Sequence, residues 1–156
     1  MESEAYFMEI RQIVGDQSAY LPLLLLGDEQ EDMIARYLDR SALFTLWDGG
    51  VLRTVCAVTD EGGGTFEIKD LATAPESQRQ GYGSALVAWV VRRCRDRGGR
   101  RLLVGTGDSP LTLPFYQACG FRESHRVPDF FLDHYDHPIY EAGQLLTDMV
   151  YLSMEL

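Results

Sequence analysis

The segment Gln78-Arg79-Gln80-Gly81-Tyr82-Gly83-Ser84 constrains this chain more than any other, because it joins two different periodicities. Before it, residues 65–73 alternate like a strand. After it, from residue 83 to 97, Leu86, Trp89, Val90 and Cys94 recur at helical spacing until Gly98-Gly99 closes the run. Residues 101–105 are then a short apolar strand. A strand, a helix and a second strand in that order form a βαβ unit, whose two strands pair in parallel. Gly81 and Gly83 let the backbone turn so that several N–H groups point outward at the positive end of the following helix, a cradle for a pyrophosphate. Taken alone, the same glycines would serve equally to cap a helix. A dinucleotide fingerprint is excluded, since its third glycine would fall on Leu86, and so is a P-loop, which needs Gly-Lys-Ser/Thr.

The flanks supply the other elements. Residues 7–14 alternate weakly and read as a first strand, followed by a Leu-rich connection through Gly27. Asp28 reads as a helix N-cap, with Glu29, Glu31 and Asp32 in the first turn and Met33, Ile34, Tyr37 and Leu38 on one apolar face; this helix is expected to end near Ser41. Residues 42–47, 51–59 and 65–73 are separated by Asp48-Gly49-Gly50 and Asp60-Glu61-Gly62-Gly63-Gly64, which marks two successive antiparallel hairpins. Residues 113–118 read as a helix stopped before Gly120, residues 125–143 as a long irregular segment, and residues 149–156 as a final strand. The expected fold class is α/β (α+β), a mixed twisted sheet with helices on both faces, formed by residues 1–156 as one domain.

Charge narrows the function classes. The net charge is −10, from 24 acidic and 14 basic side chains, so the molecule as a whole repels phosphate backbones and nucleic-acid binding is disfavoured. The cluster Arg92, Arg93, Arg95, Arg97, Arg100 and Arg101 reads as solvent-facing cations near a helix C-terminus. Leu21 to Leu26 is far short of the ~20 apolar residues a membrane span needs. The acidic start Met1-Glu2-Ser3-Glu4 is unlike a basic secretory leader, which predicts a cytoplasmic protein. Cys56, Cys94 and Cys119 are odd in number and form no Cys-x-x-Cys pair, so they are expected to be reduced core thiols. No metal site is expected, since the His and Asp spacing of residues 129–137 matches none.

The cradle resembles that of the GNAT (GCN5-related N-acetyltransferase) superfamily, whose acetyl-CoA signature is Gln/Arg-x-x-Gly-x-Gly/Ala opening a long helix after a strand. Gln78, Gly81 and Gly83 satisfy it. Phe115-Tyr116-Gln117-Ala118-Cys119-Gly120-Phe121 is similar to a later hallmark of that family, a Tyr followed four residues on by Gly-Phe. The resemblance covers residues 42–122 in pattern and the flanks by order of elements. It implies a mainly antiparallel sheet whose central parallel pair splays at the cofactor cleft, with acetyl-CoA as co-substrate. It also implies that Leu71, Ala72 and Thr73 offer backbone groups to pantetheine. Gln78, Arg79, Gln80, Gly81, Tyr82, Gly83 and Ser84 would form the pyrophosphate site, with the Arg79 guanidinium adding charge. Tyr116 falls where the family places a general acid for the departing thiolate, a sensible donor because a phenol near pKa ~10 and a thiol near ~8.5 are nearly balanced.

The acceptor must be an unprotonated nucleophile, and an alkyl ammonium near pKa ~10 presents only about 0.1% free amine at pH 7. The spacing from Glu67 to Gly81 is similar to that from the general-base Glu to the cradle in the histone-modifying branch of the family, which makes Glu67 the first candidate base. Asp70 is closer to the cofactor and, by strand alternation, is expected on the opposite face; a water chain is the third route. In the stretch from residue 129 to 137, Asp129, Phe130, Phe131 and His134 are expected to form a lid over an amine-bearing substrate. The resemblance therefore implies acetyl transfer, by direct attack, to a primary amine of a small cationic molecule or to a protein lysine or N-terminus. The rival reading is a non-catalytic acyl-CoA sensor or interaction domain. A homodimer is compatible with either.

Overall fold

The structure, a computed structural model, describes residues 8–156. Its centre is an antiparallel meander of β2 (Ser41–Asp48), β3 (Val51–Gly62) and β4 (Thr65–Thr73), with β1 (Glu9–Ile13) on the β2 edge. Residue 7, expected to begin the first strand, lies outside the described residues. The β2–β3 turn is made by Gly49 and Gly50, both at positive φ (62° and 77°), as a tight hairpin of right-twisted strands requires. The helix α3 (Tyr82–Asp96) carries the chain over to β5 (Arg101–Gly107), which pairs in parallel with β4. β9 (Met149–Glu155) then pairs antiparallel with β5, and β6 (Arg122–Val127) forms the far edge, giving the order β1-β2-β3-β4-β5-β9-β6. This is the mixed, mainly antiparallel sheet with one parallel pair expected from the sequence.

The parallel pairing is short. It runs from Thr65 opposite Arg101 to Ile68 opposite Val104 and then stops, although both strands continue. The cause lies across β4: Ile68 faces Val58 and Asp70 faces Ala57, so Lys69 is an extra residue. Such a bulge bends a strand and increases its twist, which turns the rest of β4 away from β5. It also resets the alternation. Thr59 and Ala57, two apart on β3, face Glu67 and Asp70, so both acids lie on one face of the sheet, not on opposite faces as alternation predicted.

Each face has its own core. α3 packs Leu86, Val87, Val90 and Cys94 against Phe44, Cys56, Ile68 and Leu152, and Leu86 is wholly buried, so truncating it to Ala should cost about 2–5 kcal/mol. On the other face Leu24, Ile34 and Tyr37 cover Leu43, Val55, Ala57 and Ala72. Among the described residues no helix is long and apolar enough to cross a membrane.

Two segments depart from the sequence reading. The Leu-rich stretch expected as a connection is a helix, α1 (Leu21–Gly27), started by Pro22 in its first turn. Asp28 follows it in extended conformation (φ −141°, ψ 100°) and caps no helix, because tyrosine hydroxyls take its carboxylate instead. The expected long helix is only α2 (Glu31–Ala35) and a 3-10 turn at Leu38–Arg40. The segment expected to be irregular holds the second half of β6, α5 (Phe130–His134) and β7 (Tyr140–Glu141), which pairs with β8 (Gln144–Leu145) just beyond it. β6 has no buried face, so its sequence carries no apolar alternation to read. The helix α4 (Leu113–Ala118) lies where the spacing placed it.

Candidate active site

Gly81 is the N-cap of α3 and holds φ 86°, a conformation in which a side chain is strained. The turn before it is braced from outside: Gln78 Nε2 donates to the Thr73 carbonyl and Gln80 Nε2 to the Glu76 carbonyl, both at 3.2 Å. Among the described residues, the backbone N–H groups of Arg79, Gln80, Gly81, Gly83 and Ser84 have no protein acceptor. A run of unclaimed donors at the positive end of a 15-residue helix is what a diphosphate needs. Gly83 faces the core, where a Cβ would make ordinary contact with Phe115 Cζ at 3.4 Å and Thr73 Oγ1 at 3.6 Å. The Tyr82 side chain turns into the core, where its O–H donates to Asp48 Oδ2 (2.5 Å) and the Arg53 guanidinium lies 5.5 Å from its ring centre. Arg79 is exposed and itself at φ 61°.

Where β4 and β5 part, a cavity of about 210 Å³ opens, lined among others by Asp28, Asp70, Leu71, Thr106, Tyr116 and Tyr135. Leu71 contributes to this wall, Ala72 is buried against α1, and Thr73 Oγ1 bonds Thr54 Oγ1 at 2.8 Å. Tyr116, on α4, packs edge-on against Phe115 and Phe121, with ring centres 5.0 and 5.8 Å away. Burial, reinforced by nearby acids, pushes its phenol up, so it keeps its proton.

Asp70 is 4% exposed. Its Oδ2 accepts the Tyr37 O–H at 3.3 Å, while Oδ1 has no partner among the described residues. Burial, and then the neighbouring Asp28, push this carboxyl well above the usual carboxylate range. Asp28 accepts the Tyr135 O–H on Oδ1 (2.6 Å) and the Tyr37 O–H on Oδ2 (3.0 Å), yet burial outweighs both bonds and raises it too. Glu67, although on the same face, opens on a neighbouring cavity of about 260 Å³ and lies 2.8 Å from Lys69 Nζ. The structure thus brings Asp70 to Tyr116 and holds Glu67 one cavity away.

The expected lid covers this region in part. Phe131 is buried with Ile139 and Leu146 and lines the first cavity; Phe130 lines the second. Asp129 is exposed, its backbone N–H donating to Asp148 Oδ1 at 3.1 Å, and His134 stands against the Phe130 ring, so neither lines a cavity. What fastens the lid lies just beyond it, where Tyr135, the Asp136 backbone N–H and His137 bond Asp28, Gln30 and Glu29 in turn. Sequence reasoning missed Asp28, Tyr37, Tyr135 and Glu141 as site residues. Only Tyr135, inside the aromatic and acidic stretch, had a local signal.

Residues 9–121 match the model of the Acetyltransferase (GNAT) family. The chain is 37% identical over 135 residues to the uncharacterized N-acetyltransferase YvbK of Bacillus subtilis strain 168, covering 86% of this chain and 87% of that one. The fold superposes on a Bacillus subtilis acetyltransferase in complex with CoA, with TM-score 0.89 and 34% identity, over 96% of this chain and 99% of that one. It superposes equally on an Elizabethkingia anophelis GNAT-family acetyltransferase with acetyl-CoA bound, with TM-score 0.91 and 32% identity, over the same shares.

Proposed function

The chain belongs to the GNAT acetyltransferase family and is an N-acetyltransferase with acetyl-CoA as co-substrate, and from that premise we propose that it acetylates a primary amine of a small molecule by direct attack in a ternary complex. The observation that carries this reading is the unpartnered Asp70 Oδ1 in the same small cavity as Tyr116, at the point where β4 leaves β5. Acetyl-CoA supplies an activated acyl group and a thiolate leaving group. The amides of residues 79–84 and the edge of Leu71, Ala72 and Thr73 anchor and align it, and alignment supplies most of the acceleration.

Asp70 acts in its ionised form, which an arriving ammonium favours, and takes that ammonium's proton. A carboxyl whose affinity for protons has been raised by burial is closer in pKa to an amine, so the transfer is less uphill than to an ordinary Asp. Tyr116 holds its O–H in the same cavity and gives that proton to the departing sulfur, and the proton that the attacking nitrogen sheds on becoming an amide replaces it. Glu67 acts on this site only through water, across the Lys69 ion pair. The cavity is small and lies behind α5 and the fastened segment 135–137, which favours a free small amine over a lysine on a protein surface.

The test is thiol release with a panel of small amines and a lysine-containing peptide, beside calorimetric CoA binding. Release with a small amine, lost in Asp70→Asn while CoA still binds, is the expected result. Tight CoA binding with no release for any amine would return the chain to the sensor reading.

A further inference from the structure

The acceptor cavity continues into the neighbouring one, and the two ends differ in charge. Both are walled by Asp28, Ile68, Lys69, Gly105, Tyr135 and Met149, so they form one space on the α1–α2 face. The first end carries Asp28, Glu29, Asp70 and Glu141, with Lys69 its one cation. The second end carries Arg36, Arg40 and Lys69 against Asp28 and Glu67. Two of those three cations are spent: Lys69 Nζ lies 2.8 Å from Glu67 Oε2, and Arg40 Nη1 lies 2.7 Å from Glu61 Oε2. Arg36 has neither a carboxylate nor a hydrogen-bond acceptor among the described residues. At the opposite end, the buried Asp70 Oδ1 likewise lacks a partner. The space therefore ends in an unanswered acid at one pole and an unanswered guanidinium at the other, with Ile68, Met149 and the Phe130 ring between them.

The geometry points to an acceptor that carries a compact anion at the far end of its chain from the amine: an ω-amino acid or an aminoalkylphosphonate. The inference rests on the reading of the first cavity as the acceptor site. An ammonium at Asp70 leaves the rest of the molecule extending over apolar wall toward Arg36. A planar guanidinium fork there matches a carboxylate or phosphonate through two parallel hydrogen bonds. A polyamine would instead bring a second ammonium to an unpaired cation, which repels it.

The test compares matched acceptors that differ only in the anion: 5-aminovalerate with butylamine, and aminoethylphosphonate with ethylamine, together with spermidine. Two readouts are taken, kcat/KM for thiol release and the thermal shift of CoA-loaded protein. At least one anion-bearing amine is expected to exceed its matched amine by about tenfold or more in both, as a charged hydrogen-bonded pair provides. The carboxylate and phosphonate arms show which anion is preferred. Arg36→Ala should narrow that ratio to within about twofold and Arg36→Lys should restore part of it. Melting temperature and CoA affinity serve as checks that both variants are folded. Plain amines or spermidine equalling the acids, or a ratio that Arg36→Ala leaves intact, overturns the anionic pole while the amine-acetylation reading stands. No turnover and no shift with any acceptor, while CoA binds, overturns both.

Discussion

Asp28 and Asp70 meet over one hydroxyl: the Tyr37 oxygen lies 3.0 Å from Asp28 Oδ2 and 3.3 Å from Asp70 Oδ2. A buried carboxyl and a half-buried one that share the Tyr37 hydroxyl cannot both be charged cheaply, and both titrate above their ordinary range. A raised carboxyl favours the folded state while it is protonated. Its contribution is complete below the unfolded value near pH ~4 and is lost as pH rises through the folded value.

Asp70→Asn removes that penalty. Without ligand, the variant should therefore gain on the parent chain as pH rises above ~4, by up to about 1.4 kcal/mol per pH unit until Asp70 ionises in the fold. Its turnover should fall roughly 10²-fold or more, as for loss of a general base. Urea unfolding at several pH values between 4 and 9 reads the first effect. A stability difference that does not change with pH would mean that the carboxyl is not held neutral by the fold.

Tyr116→Phe isolates the acid. The ring contacts with Phe115 and Phe121 survive the change, so stability should move by less than ~1 kcal/mol and CoA affinity by less than about twofold. Turnover should fall by roughly 10²-fold or more. Single-turnover kinetics separate the chemical step from release; an unchanged chemical rate would take Tyr116 out of the proton path.

The cradle was legible in the sequence because its signal is local: two glycines, a change of period and a helix start occupy seven consecutive residues. The hairpins were legible for the same reason, through Gly49-Gly50 and the glycines after Glu61. The acid pair was not. Asp28 follows a glycine and precedes acids, which is also how an N-cap reads, and only the distant Tyr37 and Tyr135 hydroxyls draw its carboxylate elsewhere. Glu67 and Asp70 could not be placed relative to each other because one inserted residue, Lys69, reverses the alternation, and the Lys69-Asp70 pair between Ile68 and Leu71 carries no mark of which residue is the extra one.

Gly27 is where α1 meets the site. A Cβ there would collide with Asp70 Oδ1 and lie 3.0 Å from the Leu71 carbonyl oxygen, so the helix end approaches β4 only because the residue is bare. Its φ is not in the left-handed region, so backbone strain plays no part. Gly27→Ala must push α1 or the Asp70 side chain aside, at about 1–3 kcal/mol, as overpacking does. Turnover should drop much further than CoA affinity, because the Cβ meets only Asp70 and the Leu71 carbonyl and none of the amides of residues 79–84 that hold the diphosphate. Calorimetry with CoA beside thiol release checks the split; CoA binding lost in parallel with turnover would show that the disturbance is not local.

Gly81 makes the converse prediction. Its φ of 86° costs any L-residue strain, so Gly81→Ala should lower stability by roughly 1 kcal/mol. No atom lies within 4 Å of a Cβ at this position, so the protein itself has room for a longer side chain. A Gly81→Glu side chain would stand where the free amides of Gln80, Gly81, Gly83 and Ser84 converge, and its carboxylate would repel a diphosphate. At a CoA concentration 100 times the parent Kd, the parent chain should gain about 2.7 kcal/mol of stability and the Glu variant essentially none. The Ala variant should keep part of the gain, since it adds strain without charge. Thermal melts of the three chains with and without CoA decide the matter: an equal CoA shift in all three would place the diphosphate somewhere other than the start of α3.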